Sequence, residues 1–217
     1  KYYAVYIATK PHNVIRNLEI PLDDICMDFK QKVRKNGKRA TKSNLQIIIE
    51  NTDDHLKDFL DIYYSTMDRC DAQNSFFFSK DFFKEITLMS ENVMYFYAVY
   101  DNKIISAELV IYGSQNCYSY LGGTNSEYFN VRPNDFLKYE IIKWAKEKGL
   151  KNFVLGGGYG VDDGIFQYKT SLAPKGIVDF YIGKRIFDEK EYRELLNLRI
   201  KENPRIKALQ YFPQYRA

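Results

Sequence analysis

Between Val93 and Leu121 the chain repeats one pattern: an apolar run of strand length closed by a dipeptide that turns tightly. The runs are Val93–Tyr100, Lys103–Tyr112 and Gln115–Leu121, punctuated by Asp101-Asn102, Gly113-Ser114 and Gly122-Gly123. Two-residue connections leave room only for hairpins, so the stretch predicts an antiparallel meander. A meander must bury at least one face, and helical patterns on either side can cover it. Upstream, Leu56, Phe59, Leu60, Tyr63 and Met67 recur at helical spacing after Asn51 or Thr52, and Phe82, Phe83, Ile86 and Met89 do so after Ser79. Downstream, Asn134 is the expected N-cap of a helix that buries Phe136, Leu137, Ile141, Trp144 and Ala145 and ends at Gly149.

The chain opens at Lys1 on an apolar run, YYAVYIA, which reads as the continuation of a longer protein. Strands are expected at Tyr2–Ala8 and Asn13–Ile20 around Lys10-Pro11, a helix from Pro21 to about Arg39, and a strand at Leu45–Ile49. A final helix is expected over Asp188–Lys201, before a tail that ends FPQYRA. The fold class is therefore α/β or α+β, a mixed sheet with an antiparallel meander flanked by helices. Residues 1–44 read as the remainder of a preceding domain with a basic linker helix, and 45–217 as the main domain.

No apolar run approaches the roughly 18 residues of a membrane span. Cys26, Cys70 and Cys117 are odd in number and far apart, and His12 and His55 lack ligand-spaced partners. That excludes a disulfide framework and a metal site and points to reduced thiols in the cytoplasm. The net charge is only +4, but seven Lys or Arg fall between Lys30 and Lys42. Such a run is either a solvated helix face or a patch for phosphates of a nucleotide or RNA, with Arg34 the candidate contact.

The segment from Lys151 to Gly176 carries the candidate chemistry. A short strand, Asn152–Leu155, runs into Gly156, Gly157 and Gly158, then Asp162-Asp163 and Tyr168-Lys169. Glycines clustered at a strand end mark a turn or a close backbone approach to a ligand. The run lacks the third glycine of a dinucleotide fingerprint and the Gly-Lys of a P-loop. No G-x-S-x-G elbow is present either. Asp162-Asp163 reads as turn chemistry or as an acid–base pair, and Lys169, among Ile165, Phe166 and Tyr168, as a plain surface lysine or as a cation poised for an oxyanion or phosphate.

Several runs, in order, resemble the Fem family of peptidoglycan aminoacyltransferases, which are built on the GNAT acyltransferase fold. They are Y-L-G-G-T-N (Tyr120–Asn125), R-P-N-D-F-L-K-Y-E (Arg132–Glu140), W-A-K-E-K-G (Trp144–Gly149), L-G-G-G (Leu155–Gly158), D-D-G-I-F-Q-Y-K (Asp162–Lys169) and the closing F-P-Q-Y-R, with K-V-R-K-N-G-K-R-A (Lys32–Ala40) before them. The resemblance implies transfer of an aminoacyl group from aminoacyl-tRNA onto a primary amine of a cell-wall precursor, itself phosphorylated, in a bacterial cytoplasm. It implies that Lys169 supports the tetrahedral intermediate, beside Tyr168. Tyr168, Gly122, Gly123, Asn134, Gly156, Gly157, Gly158, Asp163 and Arg34 are assigned to substrate binding.

Two other readings compete. One is a GNAT N-acetyltransferase that uses acetyl-CoA on an amino sugar or small amine. That chemistry cradles the CoA pyrophosphate with a glycine-rich loop before the long helix, and Thr124–Asn134 contains no glycine. No cofactor is therefore expected, with acetyl-CoA as the alternative. The other reading is an inactive domain that binds a nucleotide-sugar or RNA.

Overall fold

The computed structural model describes residues 6–158, 163–209 and 211–216, with side chains from residue 12 onward. Residues 11–178 form one compact unit, and residues 1–10 with 179–217 form a second. The division expected near residue 44 falls inside the larger unit.

The meander forms as its turns dictate: β3 (Val93–Tyr100), β4 (Lys103–Tyr112) and β5 (Asn116–Thr124) pair antiparallel in sequence order. Asp101 and Asn102 both adopt positive φ, 48° and 59°, the backbone of a type I′ hairpin. β2 (Gln46–Glu50) adds antiparallel to the outer edge of β3. On the other side β6 (Asn152–Gly156) joins β5 in parallel, and β1 (Tyr6–Asn17) joins β6 antiparallel. Among the described residues the sheet of the larger unit runs β2-β3-β4-β5-β6-β1. The expectation of a mixed sheet flanked by helices is met.

Helices cover both faces. α3 (Leu56–Arg69) and α4 (Lys80–Thr87) pack Phe59, Tyr63 and Phe83 against Tyr95, Tyr97 and Leu109. α5 (Pro133–Glu147) packs Leu137, Ile141 and Trp144 against Phe96, Ile105 and Phe153 on the opposite face. β3 is buried on both faces, because alternate side chains point into two separate cores. A register shift opposite Ala98/Val99 lets Ile105 face one core while Ala107 and Leu109 face the other.

Tertiary contacts move several boundaries read from sequence. A single strand, β1, replaces the two expected around Lys10-Pro11. The helix expected from Pro21 to Arg39 is two, α1 (Leu22–Asp28) and α2 (Gln31–Lys42). The chain extends at Phe29 and Lys30, with ψ of 143° and 148°. There Phe29 enters the core, Lys30 N–H bonds Ser171 O at 2.9 Å, and Asp28 pairs with Arg16 at 2.6 Å and Lys175 at 3.1 Å. Neither Asn51 nor Thr52 caps α3; Glu50 Oε1 accepts from His55 N at 3.1 Å instead. Asn134 is not the cap of α5 either. Pro133 takes the first helical position, which displaces the cap to Arg132, held at φ 60°. Ser79 does cap α4, and Gly149 adopts φ 74° after α5 as expected.

From Ile177 the chain enters β7 (Ile177–Lys184) and passes into the smaller unit. There α7 (Glu189–Glu202) is capped by Asp188, and Tyr192 stacks on Phe212 and meets Tyr215 edge-on. The closing F-P-Q-Y-R run thus folds back on the last helix.

Gly123 tests how tightly α3 closes on the meander, since an added Cβ would lie 2.8 Å from Ile62 O and overlap the Thr66 hydroxyl. Gly123→Ala should destabilise the protein by about 1–3 kcal/mol, read as a lowered urea midpoint at unchanged slope.

Candidate active site

The site grows from the way β5 and β6 part. Their parallel register holds only over Asn116–Tyr118 and Asn152–Val154. Beyond it β5 continues through Tyr120, Leu121 and Gly122, while β6 gives way to Gly157 and Gly158. A pocket of about 370 Å³ opens between these strand ends. Tyr63 and Met67 of α3 wall it on one side, and Ile165 and Lys169 of α6 (Gly164–Leu172) on the other.

Lys169 is the pocket's cation. Its Nζ donates to Gly157 O at 2.6 Å, so one N–H answers a carbonyl freed by the strand separation and, among the described residues, two remain for a ligand. Burial, with a lesser push from the Lys138 ammonium, lowers its pKa from 10.5 to about 8, against the pull of Glu108 and Asp163. Gly156 adopts φ 81°, and a Cβ there would sit 3.3 Å from Lys169 Nζ. The glycine is thus required by backbone shape and by the lysine's seat.

Asp163 is the N-cap of α6, its Oδ1 accepting from Phe166 N at 2.7 Å. A Cβ on Gly158 would lie 2.5 Å from Asp163 Oδ2, so this glycine lets the cap close. As an acid–base pair Asp162-Asp163 has only one member in view, because Asp162 lies outside the described residues. Gly122 lines the pocket, and a Cβ on it would reach Ala107 O at 2.5 Å.

Other assigned residues sit elsewhere. Tyr168 turns its enclosed hydroxyl toward Asp135 rather than the pocket. Burial first, then the Asp135 and Glu108 carboxylates, hold the phenol well above its ordinary pKa. Burial likewise raises Asp135, whose Oδ2 accepts from Asn36 Nδ2 at 2.9 Å. Arg34 lines a separate groove between α1–α2 and α5, its Nη1 donating to Met27 O at 2.6 Å. Asn134 lies in the first turn of α5, outside the pocket lining.

The main residues missed from sequence are Glu108 and Lys138. Lys138 Nζ donates to both Glu108 oxygens at 2.6 and 2.7 Å and to Ser119 Oγ at 2.8 Å. Both side chains are almost wholly buried. The signal was available: Glu108 interrupts an apolar strand, and Lys138 stands beside Leu137 on the buried side of its helix. Two opposite charges stranded on core faces ask for each other.

The N-terminus of α5, where a CoA pyrophosphate would be cradled, fits that group poorly. The buried Asp135 carboxylate occupies its first turn, and no glycine opens the backbone before it. Among the described residues no group of His, Cys, Asp and Glu has the makings of a metal site. No helix there is long and apolar enough to cross a membrane.

Residues 27–170, more than half of the chain, match the family described as an acetyltransferase (GNAT) domain. The lipid II:glycine glycyltransferase of Staphylococcus haemolyticus (strain JCSC1435) is 26% identical over 104 residues, 47% of this chain and 25% of that protein. The crystal structure of FemX superposes with a TM-score of 0.71 at 13% identity, covering 86% of this chain and 64% of that one. The C-terminal domain of a putative lysylphosphatidylglycerol synthetase from Agrobacterium fabrum gives 0.59 at 14%, covering 81% and 60%. This chain therefore spans a quarter of the curated relative and less than two thirds of either structure. The structural likenesses establish a common fold.

Removing one member of the buried pair leaves a charge in the core. Lys138→Met should cost about 3–5 kcal/mol, while adding Glu108→Met should recover most of that loss in chemical denaturation.

Proposed function

From the chain's membership of the GNAT acetyltransferase-domain family, we propose an acyltransferase that moves an aminoacyl group onto a primary amine, with Lys169 stabilising the oxyanion. One observation carries this: Lys169, half buried and tied to Gly157 O at 2.6 Å, lies in the pocket where β5 and β6 part. In the step proposed, the neutral amine attacks the ester carbonyl and a C–N bond forms. The carbonyl oxygen becomes an oxyanion within reach of the two remaining Lys169 N–H groups. Collapse breaks the ester C–O bond, and the leaving oxygen takes up the proton that the amine sheds. Such preorganised donors act strongly in a pocket with apolar walls. The cleft also aligns donor and acceptor, which removes much of the entropic barrier.

Aminoacyl-tRNA is the donor we favour, and an amine on a phosphorylated cell-wall precursor the acceptor. Support comes from the similarity to a lipid II:glycine glycyltransferase and from the poor fit of α5 to a CoA pyrophosphate. We place the reaction in the cytoplasm, where the free thiols of Cys26, Cys70 and Cys117 would stay reduced.

Lys169→Ala should lower kcat/KM by about 10²–10³-fold with little change in unfolding midpoint. Because the cation is the active form, kcat/KM should fall as pH rises through about 8. Lys169→Arg should keep part of the rate and move that falling limb to much higher pH. Full transfer by Lys169→Ala would remove the assignment.

A further inference from the structure

The basic run that the transfer chemistry leaves unused forms a defined surface. Lys30, Lys32, Arg34, Lys35, Lys38, Arg39 and Lys42 fall within thirteen residues that contain no Asp or Glu. Val33 and Ala40 turn into the core, so Lys35, Lys38 and Lys42 line up on the opposite, outward side of α2. Among the described residues none of the seven is in an ion pair. Their charge is thus available to a partner.

Beside this crest lies the groove between α1–α2 and α5, about 520 Å³ in volume. Phe29, Val33, Leu45, Phe136 and Tyr139 form its apolar wall, and Arg34 and Lys38 its cationic rim; the two carboxylates that also line it are engaged, Glu140 with Lys143 and Asp135 with Asn36. Met27, at its edge, is 68% exposed. A cationic crest fused to an apolar slot matches an amphiphile with an anionic head and a hydrocarbon tail. A nucleic-acid backbone would use the crest but leave the slot and Met27 without purpose.

We propose that α2, with Met27 near the end of α1, forms a peripheral docking face for an anionic phospholipid bilayer, while the exposed Asp23 and Asp24 at the start of α1 stay off the contact. The α2 lysines meet lipid headgroups, and the groove with Met27 takes apolar chain from the interface. Cations close to an anionic surface attract it additively, at about fivefold in partition coefficient each. The apolar insertion adds a contribution that salt does not screen. The pocket around Lys169 is lined by other residues, so docking and transfer are separable.

The test is flotation of the full chain with vesicles of phosphatidylcholine alone or with phosphatidylglycerol added, across salt concentrations. Binding should require phosphatidylglycerol and weaken with salt. Lys35→Gln/Lys38→Gln/Lys42→Gln should lose about a hundredfold in partitioning while keeping transfer activity on a water-soluble amine. Met27→Gln, a surface change, should weaken binding severalfold and leave more of it salt-sensitive. Binding unchanged in the triple variant would overturn the proposal. So would the absence of vesicle binding by a protein that retains a structured RNA through the same three lysines, which would assign the face to a polynucleotide.

Discussion

A parallel strand pair that stops short leaves backbone groups without partners, and much of this molecule answers that one constraint. β5 and β6 are joined only over Asn116–Tyr118 and Asn152–Val154. Past that point the Gly157 carbonyl needs a donor, and Lys169 supplies it at 2.6 Å. Gly157 is half-buried, and this bond holds the ammonium where the strands part. α6 must begin close enough for the reach, which the Asp163 cap arranges. Gly156 favours the absence of a side chain because its φ is 81°, and a Cβ there would also press on the ammonium at 3.3 Å.

Behind the pocket a second cation is held more firmly. Lys138 is saturated by Glu108 and Ser119, and it ties α5 to β4 and β5. Its charge contributes to lowering Lys169, while Glu108 opposes that effect. The two lysines therefore divide the work, one locked in the scaffold and one with N–H groups to spare. A lysine whose pKa is about 8 still carries its proton at neutral pH. Being poorly solvated, it gains more than a surface lysine would from a developing negative charge.

The meander, the covering helices and the glycine-rich strand end were legible because they rest on local signals: paired turns, helical spacing, Gly149 after a helix. Lys169, a cation among apolar residues next to a glycine run, stayed open between a surface lysine and a site cation, and only the family resemblance singled it out. The break at Phe29–Lys30 was hidden, since the local sequence is helical and the bond from Lys30 to Ser171 spans the fold. Arg34 was drawn to the site by its basic neighbourhood, but the path of α2 sends it to another groove. Tyr168 belongs beside Lys169 in sequence, yet successive residues of a helix diverge by about 100°. One meets the pocket and the other the core. Glu108 and Lys138, thirty residues apart, can be matched only once both faces of the sheet are known.

The donor decides between the chemistries that this fold can host. The direct measurement is a single-turnover assay with radiolabelled aminoacyl-tRNA and acetyl-CoA offered together to the full chain, with an amine-bearing cell-wall precursor as acceptor. Transfer of the aminoacyl label to the amine, with no acetyl product, is the predicted result. Acetylation of the amine with the aminoacyl-tRNA left intact would contradict it.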